Sequence, residues 1–184
     1  MKDNRFEIRL SGSGGQGLIL AGIILAEAAS IYEGKEAVQT QSYGPESRGG
    51  ASKSEVVISD TEIDYPKVTS PDLLLCMTQE ACDKYIGDLK DGGVAILDSF
   101  LVEKWPSEAQ NVRALPLTPI AKEVMGKTIV ANIVALGAIT AISGIVGKEA
   151  MEKAVLARVP KGTEEMNLKA LHAGFEAGEK AVSH

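Results

Sequence analysis

The sequence predicts an α/β domain: a mostly parallel sheet, helices on both faces, and a helical cover made by the C-terminal part of the chain. Three observations carry this. The alternating segment Phe6-Glu7-Ile8-Arg9-Leu10 runs through a glycine loop into a long Ala/Leu/Ile-rich stretch, the strand–loop–helix opening of a βαβ unit. Short, continuous apolar runs recur at residues 73–78 (LLLCMT) and 94–97 (VAIL), as expected of strands buried on both faces. From Pro119 onward the pattern is helical. The 184 residues suit one compact domain, and neither a repeat nor a change of composition marks a boundary within residues 1–184.

Each element has its own local reason. Residues 18–29 (LILAGIILAEAA) contain no proline and are apolar on nearly every side, which fits a buried helix. A second strand is expected near residues 37–41, followed by a run of turn formers from Ser42 to Gly50. SEVVIS, residues 54–59, forms a third strand that stops at Asp60. Thr78 is placed to cap a short helix reaching about Gly87, with Gln79 and Glu80 in its first turn. The turn Asp91-Gly92-Gly93 leads into the strand at 94–97. VRALPL, residues 112–117, is an edge strand, because Pro116 removes a ladder donor. Helices are expected near residues 119–126, 129–143 and 148–158. A last helix, capped by Thr163, would turn Met166, Leu168, Leu171 and Phe175 inward.

Composition excludes several classes. Lys and Arg number 19 against 25 Asp and Glu, a net charge of −6, and the sequence pI is about 5.0. A general nucleic-acid binder or a basic membrane-surface protein needs the opposite balance. A hydrophobic content of 45% with 24% charged residues is that of a folded chain. Cys76 and Cys82, with only His172 and His184 elsewhere, are too few for a disulfide framework or a four-thiolate metal centre, so both are expected as structural residues. The segment following Met1 lacks the apolar stretch of a secretory signal, which points to the cytoplasm. Residues 129–146 carry no charge and approach the roughly 20 residues of a membrane span. Asn132, Thr140 and Ser143, and the lack of flanking aromatic residues, favour a buried helix instead.

Gly12, Gly14 and Gly17 match G-x-G-x-x-G between a strand and a helix, the Rossmann-like arrangement. Glycines there let the backbone approach an anion and turn N–H groups toward it, or simply allow tight packing of strand on helix. The dinucleotide version needs an acid at the end of the second strand, but that strand ends in Gln41-Ser42-Tyr43; Glu33 and Glu36 lie before it or at its start. Gly126-Lys127-Thr128 is no phosphate loop, because Ala121 occupies the place of the first glycine and no strand precedes it. In Tyr43-Gly44-Pro45-Glu46-Ser47-Arg48-Gly49-Gly50, proline and glycines are suited to hold Tyr43, Glu46 and Arg48 in a fixed arrangement. Arg48 could then grip a carboxylate or phosphate through its planar fork; an ordinary surface turn fits the spacing equally well.

Together these motifs carry a resemblance. Gly12-Ser13-Gly14-Gly15-Gln16-Gly17 resembles the G-x-G-G-Q-G signature of the gamma subunit of 2-oxoacid:ferredoxin (flavodoxin) oxidoreductases, and residues 43–50 resemble that family's Y-G-P-E-x-R-G-G. The similarity continues through SEVVISD, PDLLL, GGVAILDS, the Asn132-containing helix with Leu136-Gly137, and residues 167–174. The resemblance implies oxidative decarboxylation of a 2-oxoacid on thiamine diphosphate, electron transfer through iron–sulfur clusters to ferredoxin, and release of an acyl-CoA. It implies a subunit rather than a whole enzyme, since the chain holds neither a cluster's cysteine set nor a segment for the magnesium-bound thiamine diphosphate. Those groups belong on alpha, beta and, in some complexes, delta chains. The glycine loop, Gly12 to Gly17, is then expected to meet CoA, and Tyr43, Glu46, Arg48, Gly49 and Gly50 to face a partner subunit or the active site. Gln41-Ser42 and the lack of a ferredoxin extension are closest to 2-oxoglutarate-type chains. A free-standing nucleotide-binding oxidoreductase and a purely scaffolding subunit are the alternatives.

Overall fold

The computed structural model describes residues 4–42 and 51–183. Six strands form one sheet: β1 (Phe6–Gly12), β2 (Glu36–Ser42), β3 (Ser52–Ser59), β4 (Leu73–Cys76), β5 (Val94–Asp98) and β6 (Val112–Leu115), in the order β2-β3-β1-β4-β5-β6. β1, β4, β5 and β6 run parallel, while β3 is antiparallel to both of its neighbours, so β3 alone runs against the rest. The mostly parallel sheet is as expected. The helices are α1 (Leu18–Glu33), α2 (Gln79–Tyr85), α3 (Leu117–Met125), α4 (Ala131–Ser143), α5 (Lys148–Arg158) and α6 (Glu164–Val182). Among the described residues, no helix is long and apolar enough to cross a membrane.

The helices are divided unequally between the two faces. Alternation along β1 sends Ile8 and Leu10 into a large aliphatic core with α1 and α3 to α6, where Ile24, Leu25, Val134, Leu136, Met151 and Leu171 are buried. The opposite face has a smaller core, closed by α2, in which Leu74, Cys76, Ala95 and Leu97 meet Cys82 and Tyr85. There Arg9, only 3% exposed, donates from Nε to Glu55 (2.7 Å), from Nη1 to Asp88 (2.7 Å) and from Nη2 to the Val68 carbonyl (3.0 Å). Burial works against the charge on Arg9, but the hydrogen bonds and charges of Glu55 and Asp88 outweigh it and raise its pKa. Arg9 thus ties the chain on either side of β4 and α2 to the middle of the sheet.

Most element boundaries follow the local signals. Thr78 caps α2, its hydroxyl accepting from the Ala81 amide at 3.2 Å. β6 lies at the sheet edge as its proline implies, but it ends at Leu115; Pro116 precedes α3, which starts two residues earlier than expected. Residues 128–130 form a short 3₁₀ turn before α4, so Gly126-Lys127-Thr128 is a break between helices. Two expectations for α6 need correction. Thr163 makes no side-chain cap: its hydroxyl donates to the Pro160 carbonyl and accepts from Asn167. Leu171 and Phe175 do face inward and Met166 and Leu168 pack against the core, but the latter two are only half-buried and flank the covered stripe, which is Asn167, Ala170, Leu171, Gly174, Phe175 and Gly178. The reason is close approach of α4. A Cβ on Gly174 would overlap the Val134 carbonyl and stand 2.9 Å from the Gly137 Cα.

Candidate functional site

The glycine loop opens at the carboxyl edge of the sheet, between β1 and α1. β1 leads to α1 and β2 on one side, while its parallel neighbour β4 leads to α2 and β5 on the other. That divergence is the crevice where open α/β sheets take ligands. Ser13 is half-buried, and Gly14 and Gly15 are exposed. Among the described residues, the amides of Gly14, Gly15 and Gly17 have no hydrogen-bond acceptor. Gly15 (φ 86°) and Gly17 (φ 72°) have left-handed backbones, which disfavour other residues.

The loop is held from behind by two carboxamides. Gln16 folds back so that its Oε1 accepts from the Ser13 amide (2.8 Å) and its Nε2 donates to the Met77 carbonyl just past β4 (3.2 Å). Asn132, in the first turn of α4 and 5% exposed, donates from Nδ2 to the Gly17 carbonyl (3.1 Å) and accepts at Oδ1 from the Ile133 amide (3.0 Å). Of the loop residues expected to meet a ligand, Gly14 and Gly15 stand free at the surface, while the Gln16 side chain is committed within the fold. Gly12 and Gly17 are required locally. A Cβ on Gly12 would overlap Gln16 Oε1 and lie 3.0 Å from the Met77 Cβ, and one on Gly17 would overlap the Asn132 carboxamide. A Cβ on Gly14 would meet nothing within 4 Å among the described residues, and its φ is not positive, so neither a described neighbour nor backbone strain calls for a glycine there.

Tyr43, Glu46, Arg48, Gly49 and Gly50 lie outside the described residues. The strand ends that bracket them are described: Ser42 pairs with Lys53, and Ser52 pairs with Gly12. The chain therefore leaves and rejoins the sheet at the same edge from which the glycine loop emerges. The buried carboxylate at the end of β5 is already engaged within the fold. Asp98, fully buried at the end of β5, accepts from the Phe100 amide (3.2 Å), the Thr118 amide (3.4 Å) and the Thr118 hydroxyl. Cys76 and Cys82 are buried and free. The Cys82 thiol beside Cys76, together with burial, pushes the Cys76 thiol above the ordinary range and keeps it protonated, which suits neither a nucleophile nor a metal ligand.

In the sequence Asn132 stands out as a polar residue within an apolar stretch and in a segment that carries the family resemblance, with no role attached to it. Its partner at Gly17, 115 positions away, is a product of the fold.

A Rossmann-like sheet with a glycine loop at its crevice defines a broad class, and comparison with known proteins narrows it. Residues 7–177 match the family described as pyruvate ferredoxin/flavodoxin oxidoreductase, and the chain belongs to that family. It is 59% identical over 178 residues to the 2-oxoglutarate synthase subunit KorC of Methanocaldococcus jannaschii, covering 96% of this chain and 95% of that protein. With KorC of Methanothermobacter thermautotrophicus it is 54% identical over 182 residues, covering 96% of each. Among solved structures, it is similar to the gamma subunit of a keto/oxoacid ferredoxin oxidoreductase from Geobacter sulfurreducens, at 59% identity and a TM-score of 0.87, covering 96% of this chain and 98% of that one.

Proposed function

We propose that residues 1–184 form one gamma-type domain, a subunit of a 2-oxoacid:ferredoxin oxidoreductase that converts 2-oxoglutarate and CoA to succinyl-CoA and carbon dioxide. Identity supports this substrate: four KorC subunits named for 2-oxoglutarate are 42–59% identical, while four curated relatives named for ketoisovalerate or pyruvate are 32–35% identical. Thiamine diphosphate with magnesium would perform the decarboxylation and iron–sulfur clusters would carry the electrons, all on alpha, beta or delta partners. The two buried thiols of this chain do not fit a cluster, which takes four ligands. Ferredoxin meets the complex rather than this chain alone, and a cytoplasmic location accompanies the reading.

The part assigned to this chain is contact with CoA at the glycine loop. The observation that carries it is the free amides of Gly14, Gly15 and Gly17 at the crevice, on a loop fixed from behind. Such amides, near the positive end of α1, suit a phosphate or the amide oxygens of a pantetheine arm. Residues 43–50, whose flanking strand ends Ser42 and Ser52 lie at this edge, are assigned to the partner or active-site side, with Arg48 pairing a carboxylate or phosphate. On this reading the purified chain alone is inactive. Viologen reduction by the isolated protein with 2-oxoglutarate and CoA would overturn it; recovery of the tagged chain with thiamine-enzyme and ferredoxin-like chains from its native source is the expected result.

A further inference from the structure

The Asn132 side chain joins the starts of two helices. Gly17, which begins α1, has no side chain of its own to cap the helix. Its carbonyl instead accepts twice, from the Ala21 amide (3.0 Å) within α1 and from Asn132 Nδ2 (3.1 Å) across from α4. The other end of the same carboxamide takes the Ile133 amide, in the first turn of α4. Asparagine suits this place because it offers a donor and an acceptor on one short stem. Aspartate would keep the acceptor for Ile133 but set an anionic oxygen against the Gly17 carbonyl. Leucine would provide neither bond.

The bond also fixes the orientation of the peptide plane after Gly17. Gly17 is glycine with φ 72°, and with no Cβ its backbone has little else to confine it. Gln16 restrains the other side of the loop through Ser13 and Met77. The exposed turn Gly14-Gly15 lies between these two restraints, and its amides gain binding value only if they are aimed before a ligand arrives. Neither carboxamide needs to touch the ligand.

We propose that Asn132 is a positioning residue for CoA: by holding the Gly17 carbonyl, it preorganises the amides of the glycine loop. This rests on the reading of that loop as the CoA contact. The test uses the reconstituted complex carrying Asn132→Asp or Asn132→Leu, with Gly14→Ala alongside. Both Asn132 variants should raise the KM for CoA roughly tenfold, with kcat at saturating CoA and the KM for 2-oxoglutarate within about twofold of wild type. Asn132→Asp retains the acceptor for the Ile133 amide and places a carboxylate near two helix starts, where negative charge is favoured, so it preserves the fold even if Asn132→Leu does not. If Gly14→Ala raises the KM for CoA while Asn132→Asp leaves it unchanged, the positioning role is overturned and the loop assignment stands. If neither changes it, the CoA assignment itself fails, and the positioning role with it. Equal losses in kcat and in both KM values, alongside a large fall in Tm, would make Asn132 a stabilising residue only.

Discussion

Gly137, Gly174 and Gly178 lie where the backbones of α4 and α6 press together, whereas Gly12, Gly14, Gly15 and Gly17 lie in a loop that opens toward solvent. At the helix seam each glycine is accounted for by a neighbour: a Cβ on Gly137 would overlap the Leu171 carbonyl, and one on Gly178 would approach the Ala141 Cβ to 2.8 Å. In the loop only part of the set is accounted for. Gly12 and Gly17 leave room for Gln16 and Asn132, and Gly15 takes a left-handed backbone, but among the described residues Gly14 meets no neighbour and no strain. Glycine content alone does not mark a ligand site; the informative glycine is the one that the fold does not need.

Alanine substitutions sharpen that contrast. The largest effect is expected at Gly174, because its new methyl group would collide with α4 backbone, which cannot rotate aside as a side chain can. Overpacking of this kind costs about 1–3 kcal/mol or more, and the better helix propensity of alanine returns at most about 1 kcal/mol. Gly174→Ala should lower the Tm of the purified chain by several degrees. An unchanged Tm would mean that the two helices slide apart easily. Gly17→Ala should come next, combining a left-handed residue, about 1–2 kcal/mol, with displacement of Asn132. It should lower the Tm by a few degrees and also raise the KM for CoA, so that thermal melting and kinetics change together.

Gly14→Ala should have the smallest effect on stability. Its Tm should stay within a degree or two of wild type, or rise slightly, since alanine restricts the unfolded chain. In the complex, however, the methyl group would stand among the free amides and raise the KM for CoA. A normal KM for CoA would place this glycine outside the ligand contact and leave the loop with a packing or scaffolding role. A large loss of Tm would contradict the open space around Gly14.

The sequence by itself determined what depends on neighbours along the chain. Apolar alternation and turn residues placed the six strands to within a few residues, because burial of one strand face and the backbone freedom of glycine are local requirements. Thr78 was legible as a cap, since its target amide is three residues away, and Pro116 was legible as an edge signal, since a missing donor is intolerable in a central strand. The glycine loop was legible as the turn from a strand into a helix, but not the separate jobs of its members. Only the tertiary structure decided that Gln16 faces Met77, that Asn132 reaches Gly17, and that small residues rather than Met166 and Leu168 line the α6 seam. Those outcomes join residues 61 and 115 positions apart. A short polar side chain or a glycine carries no local mark of which distant backbone will come to rest against it; that is settled when the sheet order and the helix crossings bring the two together.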